Sequence, residues 1–223
     1  MHVFGGSSFT ESLRALVALT RDLAAASMRI VLMKDRIRRD VTREKAAEAQ
    51  RLFRMAYARQ LEGDIERALI LYEKSIRLNP TAEAHAYIGW AKSTRGRLED
   101  AIAHCHQAIE LDPDFPNAWN DIGAYLIELE QPEDALFFLK RATRMKSHPS
   151  RCFPHYNLHR AYLALGDRAR AIAEVQAALE ADPDFSPAHD ALMDLLFPGR
   201  EERSSLPDAA LAGTPVLAFP PRS

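Results

Sequence analysis

Residues 153–183 have the sequence FPHYNLHRAYLALGDRARAIAEVQAALEADP, in which apolar residues recur at helical spacing on both sides of Gly166 and Asp167. A glycine that follows a helix can adopt the left-handed conformation that ends it. Pro183 closes the second segment, because proline cannot continue a helix. The stretch therefore predicts two antiparallel helices that are joined by a short turn.

The same pattern recurs earlier in the chain at a regular spacing. Gly63 and Gly96 mark equivalent turns. Two columns of small residues keep spacings of 33, 34 and 36 residues: Ala68, Ala101, Ala135 and Ala171 in the first, and Ser75, Ala108, Ala142 and Ala178 in the second. Small side chains at fixed positions let two helices approach closely. Because one helix pair cannot bury its own apolar face, the units are expected to stack on one another.

The repeated columns divide the chain into segments. The array is predicted over 49–197, with four units at 49–81, 82–115, 116–151 and 152–185 and a capping helix at 186–197. Residues 147–151 extend the third turn, and we expect this extension to loosen the stacking of the last two units. Outside the array, the sequence predicts a flexible amino terminus (1–9), an amphipathic helix with a basic link (10–48) and a disordered proline-rich tail (198–223).

The units resemble the tetratricopeptide repeat. That family places a bulky residue, Leu-Gly and Tyr on the first helix, and small and aromatic residues and a closing proline on the second. The third unit supplies Trp119, Ile122-Gly123, Ala135 and Ala142, and the fourth supplies Leu158, Tyr162, Ala171, Ala178 and Pro183. His85 and His155 depart from the pattern where the family has a bulky aromatic residue. The resemblance implies an all-α fold, a right-handed α-α superhelix (solenoid) of four TPR-like helix pairs plus a capping helix, preceded by a long amphipathic helix.

The composition excludes several classes of protein. The chain has 29 Lys+Arg and 31 Asp+Glu, so its formal net charge is −2 and no strong basic excess for nucleic acid is present. Two cysteines cannot form the disulfide framework of a small secreted domain, which favours a reducing, cytoplasmic location. Only 9 of the 223 residues are glycine, which favours helix in a chain rich in Ala, Leu, Glu and Arg.

A long helix candidate precedes the repeats. Its apolar residues alternate at spacings of three and four and form a stripe that we call the 16–37 seam: Leu16, Leu19, Leu23, Ala26, Ile30, Met33 and Ile37. Such a stripe is typical of a coiled coil or of a helix that packs on another helix. We expect it to cap the array, to dimerise the chain or to fill the groove of its own array. Charged residues interrupt it too often for a membrane-spanning helix, and no signal peptide is apparent.

Charge is unevenly distributed along the chain. Residues 29–54 contain nine basic and four acidic residues, so this stretch carries +5 and the remainder carries −7. The simple interpretation is a solvated helical link in which opposite charges pair. The alternative is a surface that docks on an anionic partner, either a membrane or RNA.

Motifs for catalysis or cofactor binding are largely missing from the sequence. It contains no glycine-rich phosphate loop preceded by a strand, no Gly-x-Ser-x-Gly elbow and no His-Glu-x-x-His motif. We therefore expect no catalytic residues and no cofactor. One alternative is a metal site or an enzyme that uses Cys152, His155 and His159, because the two histidines are four residues apart on one helix face and the cysteine lies one turn earlier.

The resemblance implies that first helices line the concave face of the array and that positions 2, 5, 9 and 12 of each unit face the groove. The residues expected to contact a peptide are Phe53, Tyr57, Trp90, Asn117, Asn120, Phe153, Tyr156 and Arg160. Aromatic rings offer a large contact area, and amides can hydrogen-bond the backbone of an extended peptide. An alternative is that several of these aromatic residues pack on neighbouring helices.

The sequence thus predicts a non-enzymatic protein-interaction module, an adaptor, scaffold or co-chaperone-like protein that binds a peptide or helix of a partner in its groove. Self-association through the 16–37 seam is a further possibility, and no nucleic acid is expected. Some relatives bind the acidic carboxyl termini of cytosolic chaperones with a cluster of Lys, Arg and Asn. No register of the repeats places that basic cluster here, so we expect weak or no binding to such termini.

Overall fold

A computed structural model describes residues 6–145 and 150–197. Nine α-helices account for most of these residues: α1 (Gly6–Leu61), α2 (Ile65–Leu78), α3 (Ala82–Ser93), α4 (Leu98–Leu111), α5 (Pro116–Glu128), α6 (Pro132–Arg144), α7 (Cys152–Ala164), α8 (Arg168–Ala181) and α9 (Ser186–Leu196). Within these ranges there is no β-strand. The predicted tail at 198–223, most of the turn extension and the first five residues lie outside the described part of the chain.

The described chain divides into two units, residues 1–47 and residues 48–223. The first unit is helical from Gly6, four residues before the predicted start, and α1 continues without interruption through the predicted basic link. Every side chain that the structure describes between residues 14 and 45 is exposed. No helix in the described ranges is long and apolar enough to cross a membrane.

The second unit is a stack of helix pairs. Each turn between the two helices of a pair has one residue in the left-handed region, as the glycine pattern predicts. Gly63, Gly96 and Gly166 have φ of +80°, +71° and +74°. The third unit lacks a glycine at this point, and Glu130 adopts φ of +58° instead. A side chain in this conformation crowds the backbone, so Glu130 carries strain that the three glycines avoid.

Both columns of small residues lie in the core. Ala68, Ala101, Ala135 and Ala171 have no exposed surface, and their partners in the second column are at most 3% exposed. Ser75 is the polar member of that second column, and its Oγ donates a hydrogen bond of 2.7 Å to the carbonyl of Ala49. Burial of both columns agrees with the predicted reason for small residues, which is close approach of the helices.

Within the pairs, α3 packs on α4, α5 on α6 and α7 on α8. Successive pairs stack in sequence order through contacts of α2 with α3, α4 with α5 and α6 with α7, and α9 packs on α8. First helices of neighbouring units also contact one another, α3 with α5 and α5 with α7, more closely than the second helices do. A stack in which one layer is closer together curves toward that layer, so the first helices line its concave side. The predicted all-α array of four helix pairs with a terminal helix is confirmed.

Candidate functional site

The concave face begins with an aromatic cluster. Phe53 and Tyr57 on α1 meet Tyr87 and Trp90 on α3, and Tyr72 on α2 packs beneath them. The ring centroids of Phe53 and Tyr87 are 5.0 Å apart, those of Tyr57 and Tyr87 are 5.4 Å apart, and both pairs are edge-to-face. Tyr87 thus lies at the centre of the cluster and is only 1% exposed.

The middle of the face carries a hydrogen-bonded series of side chains that we call the amide ladder: Asp121, Asn120, Asn157 and Arg160. Asn157 Nδ2 donates to Asn120 Oδ1 at 3.0 Å, which links α7 to α5. Arg160 Nη1 donates to Asn157 Oδ1 at 3.2 Å, and Asn120 Nδ2 donates to Asp121 Oδ1 at 3.2 Å. Because Asn120 and Asn157 come from units three and four, the ladder joins these units directly across the extended turn.

Two acidic side chains of α5 lie near this ladder. Asp121 is 4% exposed, and burial raises its pKa to about 7, although the hydrogen bond from Asn120 acts in the opposite direction. Burial also raises the pKa of Glu128, and the positive charge of Arg160 offsets part of that rise. The middle of the concave face therefore combines amides, one guanidinium and two acidic groups.

A second aromatic cluster follows on α7. Phe153 and Tyr156 both pack against Phe185, with ring centroids 5.1 Å and 5.4 Å apart. Phe185 immediately precedes α9, so this cluster attaches the terminal helix to the fourth unit. The face therefore has aromatic residues at both ends and hydrogen-bonding groups between them.

The structure divides the eight predicted groove residues into two groups. Tyr57, Phe153, Tyr156 and Arg160 are half-buried and present part of their side chains at the surface. Phe53, Trp90, Asn117 and Asn120 are buried, at 5%, 8%, 7% and 0% exposure. These four side chains therefore present little or no surface to a partner, and contact of any of the eight residues with a peptide stays a prediction.

Sequence reasoning did not identify Asp121, Asn157 and Glu128 as members of the site. Asp121 and Asn157 occupy the same repeat position as Tyr87, at spacings of 34 and 36 residues. Tyr87, Asp121 and Asn157 are at most 5% exposed. In each unit this position comes one residue after a predicted groove position. Because it holds a tyrosine, an aspartate and an asparagine in successive units, it forms no recognisable motif.

The predicted metal ligands do not converge. His155 Nδ1 lies 2.7 Å from Glu174 Oε2, His159 Nδ1 lies 3.2 Å from the carbonyl of Ala171, and Cys152 Sγ lies 3.9 Å from Asp182 Oδ2. These partners are on different turns of α8 and after its end, so each side chain points to a different place. Across residues 6–145 and 150–197, no group of three potential ligands is close enough to hold a metal ion. The alternative of a Cys152, His155 and His159 site is corrected.

Histidine at the bulky position of the repeat has a structural explanation. His189 Nε2 donates to the carbonyl of Pro183 at 2.7 Å, and Trp119 Nε1 donates in the same way to the carbonyl of Pro113 at 3.0 Å. In both units the ring N–H ties the first helix to the proline that closes the preceding unit. His85 differs, because its Nδ1 lies 3.2 Å from Nδ1 of His104 on α4.

The basic stretch 29–54 is helical throughout. Some of its charges pair along the helix: Arg36 with Asp40 at 4.0 Å, and Arg51 with Glu48 at 2.7 Å. These pairs favour the interpretation of a solvated helical link over that of an RNA-binding surface.

Comparison with known families agrees with this architecture. Models described as tetratricopeptide repeat match residues 49–81, 82–115, 104–137 and 155–185. The matches cover more than half of the chain and include part of each of the four helix pairs. The chain belongs to the tetratricopeptide repeat family, whose repeats typically serve as non-enzymatic scaffolds for protein interaction.

Known proteins are similar over the array. The TPR repeat-containing thioredoxin TTL4 of Arabidopsis thaliana is 26% identical over 139 residues, which are 56% of this chain and 19% of that protein. This chain thus matches about a fifth of that relative. The structure of Pseudomonas aeruginosa pilF has a TM-score of 0.65 at 21% identity, over 69% of each chain. YrrB, described as a TPR protein with an unusual peptide-binding site, has a TM-score of 0.52 at 20% identity, over 74% of this chain and 84% of that one.

Proposed function

We propose that the concave face of the array binds a short segment of a partner protein, so that the chain acts as a non-enzymatic adaptor or scaffold. The amide ladder carries this proposal. It ends at the half-exposed Arg160, and the half-exposed rings of Tyr57 and Tyr156 belong to the same layer of first helices. A binding face needs hydrogen-bond donors that are already oriented and apolar area beside them, and this arrangement offers both.

Orientation of Arg160 is the main benefit of the ladder. A free arginine side chain loses much rotamer freedom when it binds, and this loss weakens association. Here Asn157 Oδ1 accepts one N–H of Arg160, while Asn120 in turn orients Asn157. Arg160 has further N–H groups beyond the one that Asn157 accepts, and these can donate to the backbone carbonyls of a bound segment.

The charge of the face favours a partner segment with few acidic residues. Arg160 is the one cation of the amide ladder, and the acidic Glu128 lies close enough for the charge of Arg160 to act on its pKa. An acidic carboxyl terminus would need several cations in the groove, so we propose that such termini bind weakly or not at all. The peptide-binding site ascribed to YrrB supports binding of a peptide by this fold, without defining its sequence.

The test selects peptides that bind the full chain and then measures which residues of the chain their affinity depends on. A displayed library of random peptides is enriched on the wild type, and the best binders are titrated against Arg160→Ala and Tyr156→Ala. Both substitutions should weaken binding by about tenfold or more. Arg141→Ala on α6, an exposed arginine of the second-helix layer, is the matched control and should leave affinity unchanged. If no peptide is enriched, or if Arg141→Ala weakens binding as much as Arg160→Ala, the proposal is wrong.

A cytoplasmic location stays a prediction from the cysteine count. Cys105 and Cys152 are free thiols in the structure, and both are buried. A chain with two buried free thiols needs no oxidising compartment for its fold, which supports the prediction.

A further inference from the structure

The apolar seam of the first unit is exposed along its length. The large seam residues Leu16, Leu19, Leu23, Ile30, Met33 and Ile37 are between 52% and 68% exposed. A helix in water gains most of its stability from burial of an apolar face, and an exposed stripe of this length usually marks an interface. The seam ends sharply, because the next two positions in its spacing are Asp40 and Glu44.

We infer that the seam pairs with the seam of a second copy of this chain, and that the two helices run antiparallel as a two-stranded coiled coil. The heptad assignment follows from the spacing. Leu16, Leu23, Ile30 and Ile37 occupy position a, and Leu19, Ala26 and Met33 occupy position d. Because the seam residues from Leu16 to Met33 form the contact surface on both copies, the interface closes as a dimer.

The small residue in the middle of the seam distinguishes the two orientations. In a parallel dimer Ala26 faces Ala26 of the other copy, and this layer is left underfilled. In an antiparallel dimer centred between residues 23 and 26, Ala26 faces Leu23 of the other copy, and Leu23 faces its Ala26. Each central layer then combines one large and one small side chain, which is how layers fill space without a cavity.

The flanking charges select the same orientation and register. Arg29 precedes an a position and Lys34 follows a d position. In a parallel dimer Arg29 of each copy lies opposite Lys34 of the other copy, so the interface contains this pair of like charges twice. Like charges at these positions repel. In the antiparallel dimer Arg29 lies opposite position 22 of the second copy, an aspartate. A shift by one heptad would place Arg29 opposite Arg29, so the register centred between residues 23 and 26 is preferred.

The mass of the full chain in solution tests the pairing. We expect twice the chain mass of 25.1 kDa by sedimentation equilibrium. Ile30→Asp places a carboxylate in an apolar layer of each copy and should weaken the dimer by about a hundredfold, about tenfold for each copy. Val31→Asp is the matched control, because Val31 is 53% exposed, adjacent in sequence and outside the seam. A monomeric wild type, or equal dissociation of the two variants, overturns the pairing.

Disulfide formation tests the orientation. Residues 16 and 33 are about 25 Å apart along one helix. In the antiparallel register Leu16 of one copy faces Met33 of the other, so a mixture of Leu16→Cys and Met33→Cys chains should form a covalent dimer on oxidation. Leu16→Cys alone should not, because a disulfide requires Cα atoms within about 7 Å. Covalent dimers from Leu16→Cys alone would show a parallel pair and overturn the antiparallel assignment. Both native cysteines are buried and do not compete.

This inference is independent of the proposed binding function. The seam lies in the first unit, and the proposed peptide contacts lie on α1 beyond residue 48 and on α7. Peptide titration of the Ile30→Asp variant therefore separates the two: loss of the dimer with retained peptide affinity supports both proposals. A wild type that is dimeric but binds no peptide overturns only the binding function.

Discussion

Replacement of Gly123 by alanine should destabilise the array, although alanine is the better helix former. A Cβ at this position of α5 would lie 2.4 Å from Cγ and 2.5 Å from Cδ2 of Leu139 on α6. Carbon atoms in contact are normally about 3.5–4.0 Å apart. Leu139 has no exposed surface, so neither side chain can move aside into solvent. The helices or the leucine must shift by roughly 1 Å.

The expected magnitude is a difference between two opposing effects. Overpacking of this kind costs about 1–3 kcal/mol. Alanine is favoured over glycine in a helix interior by about 1 kcal/mol. We therefore expect the Gly123→Ala substitution to lower the free energy of unfolding by up to about 2 kcal/mol.

The preceding repeat supplies a matched control at the same position. A Cβ on Gly89 would lie 3.1 Å from the carbonyl oxygen of Ala101 and 3.2 Å from Sγ of Cys105. These contacts are tight but require shifts of only a few tenths of an ångström. The helix preference of alanine should then dominate, and the Gly89→Ala substitution should leave stability unchanged or raise it by up to about 1 kcal/mol.

A double-mutant cycle identifies the cause. Leu139→Ala alone should cost about 2–5 kcal/mol, because it opens a cavity in the core. In that background the clashing atoms are gone, so Gly123→Ala should become stabilising by about 1 kcal/mol. Equilibrium urea unfolding, followed by far-ultraviolet circular dichroism, measures all four proteins. If Gly123→Ala stabilises the wild type, or costs the same with and without Leu139, contact with the Leu139 side chain is not the determinant.

Three further predictions concern strain and buried titratable groups. Asp121 has a pKa of about 7 in the folded state, above its unfolded value. The free energy of unfolding of the wild type should therefore fall by up to about 4 kcal/mol as pH rises from about 4 to about 7. The Asp121→Asn substitution should remove this pH dependence when urea unfolding is measured at pH 5 and pH 8. Burial, with a smaller contribution from the charge of Lys92, lowers the pKa of His104 to about 4. The stability that neutral His104 contributes is therefore present above about pH 6.5 and is lost as pH falls toward 4. The His104→Gln substitution should reduce this loss of stability at acid pH by about 1–2 kcal/mol, and an unchanged loss would contradict the assignment. Glu130→Gly relieves a left-handed side chain and should raise the thermal midpoint, equivalent to about 1 kcal/mol, whereas a lower midpoint would show that Glu130 is unstrained.

The fold was predictable because its signals are local and repeated. A left-handed glycine, a closing proline and two small columns each act within one helix pair. The columns recur at equivalent positions in all four pairs, and the glycine and the proline recur in three of them. The structure bears out the turns at Gly63, Gly96 and Gly166 and the burial of both columns. Where the glycine is missing, the turn persists at Glu130, because the neighbouring helices impose it.

The candidate site was only partly predictable. The position of each residue within its repeat predicted that Tyr57, Tyr156 and Arg160 lie on the concave face, and these three side chains are half-exposed. The same reasoning placed Phe53 and Asn120 there, and both are buried, because Tyr87 covers one and Asn157 pairs with the other across a unit boundary. Such contacts depend on which side chain a neighbouring unit presents. The position of a residue within its own repeat does not specify that side chain.

The amino-acid sequence by itself therefore determined the period, the helix pairs, the turns and the heptad seam, since each follows from local backbone preference or apolar spacing. Tertiary structure alone decided which side chains remain available. Gly89 and Gly123 are indistinguishable by repeat position, yet one faces a cysteine and the other a leucine. Likewise Cys152, His155 and His159 share a helix face but find separate partners on and after α8. The physical reason is that burial and pairing depend on the size and chemistry of the opposing helix, which lies at least ten residues away in the sequence.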